Sequence, residues 1–243
     1  RPDDVLTGRR HNTTGDRFEV SDSEYADDTA VLFDTRFTTE KYSPLLVHHF
    51  AEYGMEVHAG DDHTPDKIPK TVVLFVAAHP SVYTDPATYD NANLERIELG
   101  NGRFFPVVEQ FCYLGSFLNR DCNDDDDVQA RIDAAGGAFG GLRKPVFSNA
   151  SICYEAKRVV FEGLILKILL YGSESWCLTE KLYNKLRTFH ARCARAMCRV
   201  NRRYTRKHRI TTAELLNRLR LKPIDIYITK RQLQWAGHVI RMN

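Results

Sequence analysis

Between Glu180 and Glu214 the chain carries eleven lysines and arginines and not one acidic residue. Solvated faces usually mix signs, and a one-signed stretch this long usually meets a polyanion, nucleic acid being the commonest. The apolar residues inside it are spaced to form a helix. At about 100° per residue, Leu182, Leu186, Phe189, Cys193, Met197 and Val200 fall on one narrow stripe, which predicts a helix over 180–201. Lys181, Lys185, Arg192, Arg195 and Arg199 fall on a second stripe beside it. One side packs on the protein, and a basic ridge stays outside, continued by Arg202, Arg203, Arg206 and Lys207.

The net charge of +2 over 243 residues hides a division. Residues 1–140 hold 12 basic and 26 acidic side chains, a balance of −14; residues 141–243 hold 22 and 6, a balance of +16. The acidic part reads as mixed strand and helix, the basic part as helices, which predicts an α+β fold with parts at 1–120 and 121–243. No apolar run reaches the roughly 18 residues of a membrane span. The longest candidate, RVVFEGLILKILLYG, contains Glu162 and Lys167 and reads as a buried helix. Six irregularly spaced cysteines in a chain this long argue for reduced thiols in an intracellular protein. The start, RPDDVLTGRR, has neither Met nor an apolar signal core, so the chain reads as a piece of something longer.

Several elements follow from pattern. A short strand is expected at 31–33 and a helix over 38–54, with Leu45, Leu46, His49, Phe50 and Tyr53 as its apolar face and Gly54 as its stop. KTVVLFVA (70–77) reads as a buried strand, and 94–99 with 103–108 as a hairpin around Gly-Asn-Gly. Asn123 is a good N-cap for a helix whose first turn carries four aspartates, favoured there by the helix dipole. Further helices are expected near 150–170, 211–220 and 223–240, with Pro223 in the first turn of the last.

Residues 24–33 read EYADDTAVLF. Asp27 and Asp28 stand side by side between a small residue and a run of strand formers. Either they make a solvated turn or they hold something strongly positive. A hairpin over this stretch, with 18–20 paired to 30–33, would put both at its tip. The stretch resembles the metal-binding hairpin of reverse transcriptases. Further segments resemble non-LTR, LINE-type retrotransposon polymerases in family order: AEYGMEVHAG with Lys70–Thr71 before a strand, FCYLGSFLNRD, ARIDAAGGAFGGLRK, LLYGSESWCLT and RQLQWAGHVIRM. Together they cover about residues 18–242.

The resemblance implies the end of a right-hand polymerase palm followed by a helical, thumb-like region. It implies that Asp27 and Asp28 bind Mg²⁺ (or Mn²⁺) for two-metal nucleotidyl transfer, and that Lys70 acts as a general acid toward pyrophosphate. It implies that Phe111, Tyr113, Leu114, Gly115 and Ser116 grip the primer. RNA template, DNA primer and dNTP are the implied partners, with no membrane, in the nucleus or cytoplasm with the element's RNA. The family's earlier Asp strand, its nucleotide-pocket segment and its fingers lie upstream of Arg1, so this portion alone is expected not to polymerise. A second reading is a non-catalytic nucleic-acid-binding remnant of a retroelement.

Other sites are weaker. DCNDDDDVQARI mimics a calcium loop, but its sixth position is Asp126 and its twelfth Ile132. A zinc site from His190, Cys193, Cys198 and His208 would draw Cys193 off the apolar stripe, and no CxxC pair exists. Trp176 and Trp235 read as core anchors, and His238 as a packed or capped side chain.

Overall fold

Among the described residues, one unit, Arg1–Cys122, holds short strands and one long helix, and the other, Asn123–Asn243, is helical; the fold class is α+β. The computed structural model describes residues 6–9, 17–20, 22–25, 28–33, 35–64, 68–76 and 95–242.

In the first unit, β1 (Leu6–Arg9) pairs antiparallel with β2 (Arg17–Val20), and β3 (Asp22–Tyr25) with β4 (Asp28–Val31). This corrects the expected pairing. The polar stretch 22–25, not 18–20, faces the strand after the aspartates, because a two-residue connection closes that hairpin at the shortest range. Helix α1 (Arg36–Glu52) opens with a capping box in which Thr35 Oγ1 accepts from Thr38 N at 3.1 Å and Thr38 Oγ1 accepts from Thr35 N at 3.3 Å. It stops before Gly54, at φ +74°, as expected. The expected apolar face is covered only in part: Leu46 and Phe50 are half-buried, Leu45, His49 and Tyr53 are exposed, and the buried side chains are Thr38 and Ser43. The half-buried Val47 is what reaches the core, so the helix packs through a face with few large apolar residues.

The strand β8 (Arg103–Val108) is the centre of a small sheet. It pairs antiparallel with β7 (Arg96–Gly100) and β5 (Gly60–Asp61), and parallel with β6 (Val73–Leu74). The β7–β8 turn uses Asn101 and Gly102, both left-handed, as the Gly-Asn-Gly signal requires. The expected strand over 70–77 shrinks to Val73–Leu74, half-buried, because it meets only the end of β8. Ala59, Ile97 and Phe105 form the buried core, with Val47, Val57 and Val73 against it. Gly60 is needed there: a Cβ would sit 2.6 Å from the Phe104 ring.

The helical unit has the larger core. Helix α2 (Asp125–Leu142) runs into a π-helical turn, Arg143–Phe147. A second helical run comprises α3 (Tyr154–Val160), a π turn at Phe161–Ile165 and α4 (Leu166–Leu169). Then come α5 (Glu180–Met197), α6 (Arg202–Lys207), α7 (Thr212–Arg218) and α8 (Ile224–Ile240). The predicted stripe of α5 is in the core: Leu182, Leu186, Phe189, Cys193 and Met197 are buried, and Val200 is half-buried. Phe139 stacks on Phe147 at 4.4 Å, Phe161 meets both edge-on, and His190 stacks on Phe161. Glu162 lies half-buried inside its helix, where it accepts the Tyr227 hydroxyl proton at 2.6 Å. Lys157, 1% exposed, donates to the carbonyl of Met197 at the C-terminus of α5, where a helix favours positive charge. Asn123 does bond the helix start, its Oδ1 accepting from Asp125 N at 3.1 Å, although the helix itself begins after Asp124, one residue later than expected.

Trp176 is the predicted anchor. It is buried, and its indole N–H donates to the buried Asp127 carboxylate at 2.8 Å. Trp235 and His238 are not core residues; both are exposed, because α8 packs through Ile224 and Ile228 and leaves its last turns uncovered. Replacing Trp176 with Phe keeps the bulk but removes the donor. Urea unfolding of Trp176→Phe is expected to give a loss of about 1–3 kcal/mol. A second expectation concerns His190, which is buried with no partner for Nε2 among the described residues; burial pushes its imidazole down to about 4. The unfolded chain binds the proton near pH 6.5 and the folded one does not. Stability therefore falls from pH 6.5 toward 4, by about 3 kcal/mol from this group. Urea unfolding of His190→Phe between pH 7 and 5 is expected to lack that slope.

Candidate functional site

The aspartate hairpin is built by β3 and β4. Tyr25 faces Asp28 as the last pair before the connection, residues 26–27. Asp28 is exposed; Asp27 lies outside the described residues. Divalent metals such as Mg²⁺ need several hard oxygens. Among the described residues no group of three or more His, Cys, Asp or Glu is placed to hold a metal. The described carboxylates do not by themselves build a two-metal centre.

The FCYLGSFLN segment forms its own hairpin, β9 (Gln110–Tyr113) with β10 (Ser116–Asn119). Leu114 (φ +48°) and Gly115 (φ +81°) make the two-residue turn. Gly takes that conformation freely, whereas Leu114 is strained in it and projects 39% exposed at the tip. Phe111 and Tyr113 share one face and are half-buried, as is Ser116 opposite Tyr113. The two hairpins meet: Tyr113 Oη donates to the carbonyl of Ser23 in β3, at a long 3.4 Å. Lys70 is exposed at a bend before β6, its backbone N–H bonded to the His58 carbonyl at 3.1 Å. Among the described residues no hydrogen bond or ion pair joins Lys70 to Asp28.

The basic ridge of α5 is divided in two. Lys181 donates to Asp125 Oδ1 at 3.0 Å, and Lys185 stands 3.6 Å from the same oxygen. That bond to Lys181 holds the Asp125 carboxyl below its usual range. Two of the five residues on the α5 stripe therefore hold α5 against α2. Arg199 leaves the ridge as well. The helix ends at Met197, and Arg199 turns left-handed (φ +56°), while Val200 N returns to the Arg195 carbonyl. What remains, Arg192, Arg195 and Arg202, lines a groove of about 600 Å³ between α2 and α5. Arg143, which sequence reading did not single out, joins them there. Burial, and then the neighbouring Arg202, push the Arg195 guanidinium below its usual value. Arg203 is exposed beside Arg202 on α6.

The aspartates at 124–127 are more than dipole charges. Asp124 accepts from the Cys177 N–H at 2.6 Å, Asp125 holds the two lysines, and Asp127 accepts from Trp176. The signal for these bonds was present: four adjacent carboxylates are more than one helix start requires. His190 and Cys193 are buried on α5, while His208 is exposed and stacks on Tyr204. All six cysteines are free thiols, and among the described residues no helix is long and apolar enough to cross a membrane.

A Caenorhabditis elegans protein described as transposon-derived and uncharacterized is 26% identical to this chain over 224 residues, 91% of this chain and 72% of the relative. No protein-family model matches the chain, and no solved structure matches it.

The Asp125 contacts generate an expectation about acid. Their contribution is present above the unfolded carboxyl value, near 4, and is lost as pH falls through the lower folded value. Asp125→Asn is expected to cost about 1 kcal/mol or less at pH 7. In urea unfolding, its difference from the parent chain is expected to shrink below about pH 4.

Proposed function

We propose that this chain is a portion of the RNA-directed DNA polymerase of a LINE-type retroelement: the end of the palm at 1–120 and a thumb-like helical region at 121–243. One observation carries the reading. The aspartate hairpin and the FCYLGSFLN hairpin, recognised separately in the sequence, touch through Tyr113 and Ser23. A polymerase needs that proximity, because the primer end must lie beside the metal-binding carboxylates. The transposon-derived relative supports a retroelement origin for this chain.

In this reading Asp27 and Asp28 supply part of the metal-binding set, and other carboxylates of the polymerase complete it. Mg²⁺ or Mn²⁺, when bound, would activate the primer 3′ oxygen and neutralise the triphosphate. The exposed Lys70 is free to meet the leaving pyrophosphate. Phe111 and Tyr113 support the turn at Leu114, Gly115 and Ser116 against the primer strand. The basic helices carry the template–primer backbone, with little preference for sequence, since phosphate contacts hold no base information.

The test is primer extension with Mg²⁺ and dNTPs. The 243-residue chain alone is expected to give no product. A longer polymerase containing this segment is expected to lose synthesis in Asp27→Ala, by at least a hundredfold, and to be severely impaired in Asp28→Ala. Unchanged synthesis in Asp27→Ala would remove the polymerase reading and leave the non-catalytic remnant.

A further inference from the structure

We propose that the groove between α2 and α5 is a phosphodiester-binding track, in which Arg143, Arg192, Arg195 and Arg202 hold successive backbone phosphates of a nucleic acid strand. The proposal rests on the helical unit binding nucleic acid, but not on the hairpin aspartates. Four guanidinium groups line one concave surface, and among the described residues no carboxylate pairs with any of them. The carboxylate on the lining, Asp133, takes both its bonds from the Gln129 amide, at 3.1 and 3.2 Å. Arginines held this close repel one another, an arrangement that an anion relieves.

Three features favour a chain of phosphates over a single anion. Ile132, Phe139, Ala196 and Val200 share the lining with the arginines, so the guanidinium groups are spread along an apolar surface and not gathered around one point. Gly136 and Gly140 of α2 also line it, and a Cβ at Gly136 would come within 3.7 Å of the Arg192 guanidinium. The positive face continues past the groove through the exposed Arg203, Arg206 and Lys207, with no acidic residue before Glu214. Planar guanidinium forks grip phosphate oxygens in pairs, which suits arginine at all four positions. Lys181 and Lys185, held by Asp125, lie outside this track.

The experiment is fluorescence anisotropy of the whole chain with a labelled RNA–DNA hybrid over a salt series. Each arginine replaced by alanine is expected to flatten the log–log salt slope by about one unit, and the fourfold variant by three to four. Lys181→Ala with Lys185→Ala is expected to leave the slope unchanged. Gly140→Glu separates folding from binding. A Cβ there meets nothing within 4 Å, and Glu favours an exposed helix over Gly, so this variant should fold at least as well. Its carboxylate in the groove is expected to weaken hybrid binding, while Gly140→Ala binds as the parent does. An unchanged slope in the fourfold arginine variant would overturn the proposal. So would a slope lost only in the lysine pair, or competition by poly-glutamate as effective as unlabelled hybrid. Flattened slopes alongside unimpaired synthesis in Asp27→Ala of the longer polymerase would keep the track and discard the polymerase reading.

Discussion

The helical unit depends on the clasp made by the aspartates at the start of α2. Asp127 is buried against the Trp176 indole, Asp124 takes the Cys177 N–H, and Asp125 takes Lys181 and Lys185. These bonds join residues about fifty positions apart in sequence, so they fix the loop before α5 and the start of α5 on one helix end. Together with the core shared by Val128, Ala135, Phe139, Leu186 and Phe189, they anchor the two helices that line the arginine groove. The burial of Asp127 makes its bonds the ones to protect, because a buried acceptor that loses a donor, even with Arg131 3.6 Å from its other oxygen, carries a cost of desolvation. The exposed Lys181–Asp125 contact adds little energy. Its effect is on charge, since it takes the first turns of α5 out of the basic face and leaves the positive potential at the arginine end.

Two further ties keep that geometry. Arg187 on α5 bonds Asp225 and Glu180, which holds it above its already high value and locks the start of α8 onto α5. Lys157 reaches the carbonyl of Met197 from beneath, and Arg199 turns away just beyond it. The helix therefore ends where the chain must swing to bring Arg202 back toward Arg195. The aromatic stack of Phe139, Phe147, Phe161 and His190 reaches the groove through Phe139, which lines it. By contrast, Ala59, Ile97 and Phe105 make up the buried core of the sheet in the first unit, so its hairpins rest on turn geometry more than on packing.

What was legible in the sequence was what depends on short-range period and turn chemistry. The α5 stripe, the Asn101–Gly102 hairpin, the Leu114–Gly115 turn and the Gly54 stop all follow from spacing and from residues that tolerate positive φ. Which of two neighbouring segments pairs with β4 was not legible. The partner of β4 was misread because Phe18 and Val20 alternate as a strand should, yet a hairpin closes by its shortest connection, not its most apolar one. The α1 face was misread because small polar side chains pack where large apolar ones were expected. Trp176 and Trp235 both follow polar residues in the sequence, and what distinguishes them is the buried Asp127 that Trp176 reaches. At the candidate site, sequence supplied Arg192, Arg195 and Arg202, but not Arg143 and not the division of the ridge, which rests on Asp125 lying opposite Lys181.

Arginine-selective modification with phenylglyoxal, mapped by mass spectrometry with and without an RNA–DNA hybrid, tests that division most directly. The account predicts that the hybrid shields Arg143, Arg192, Arg195 and Arg202, while Arg187, on the opposite contact with Asp225, reacts equally in both states. Shielding of Arg187 with the groove arginines still reactive would contradict it.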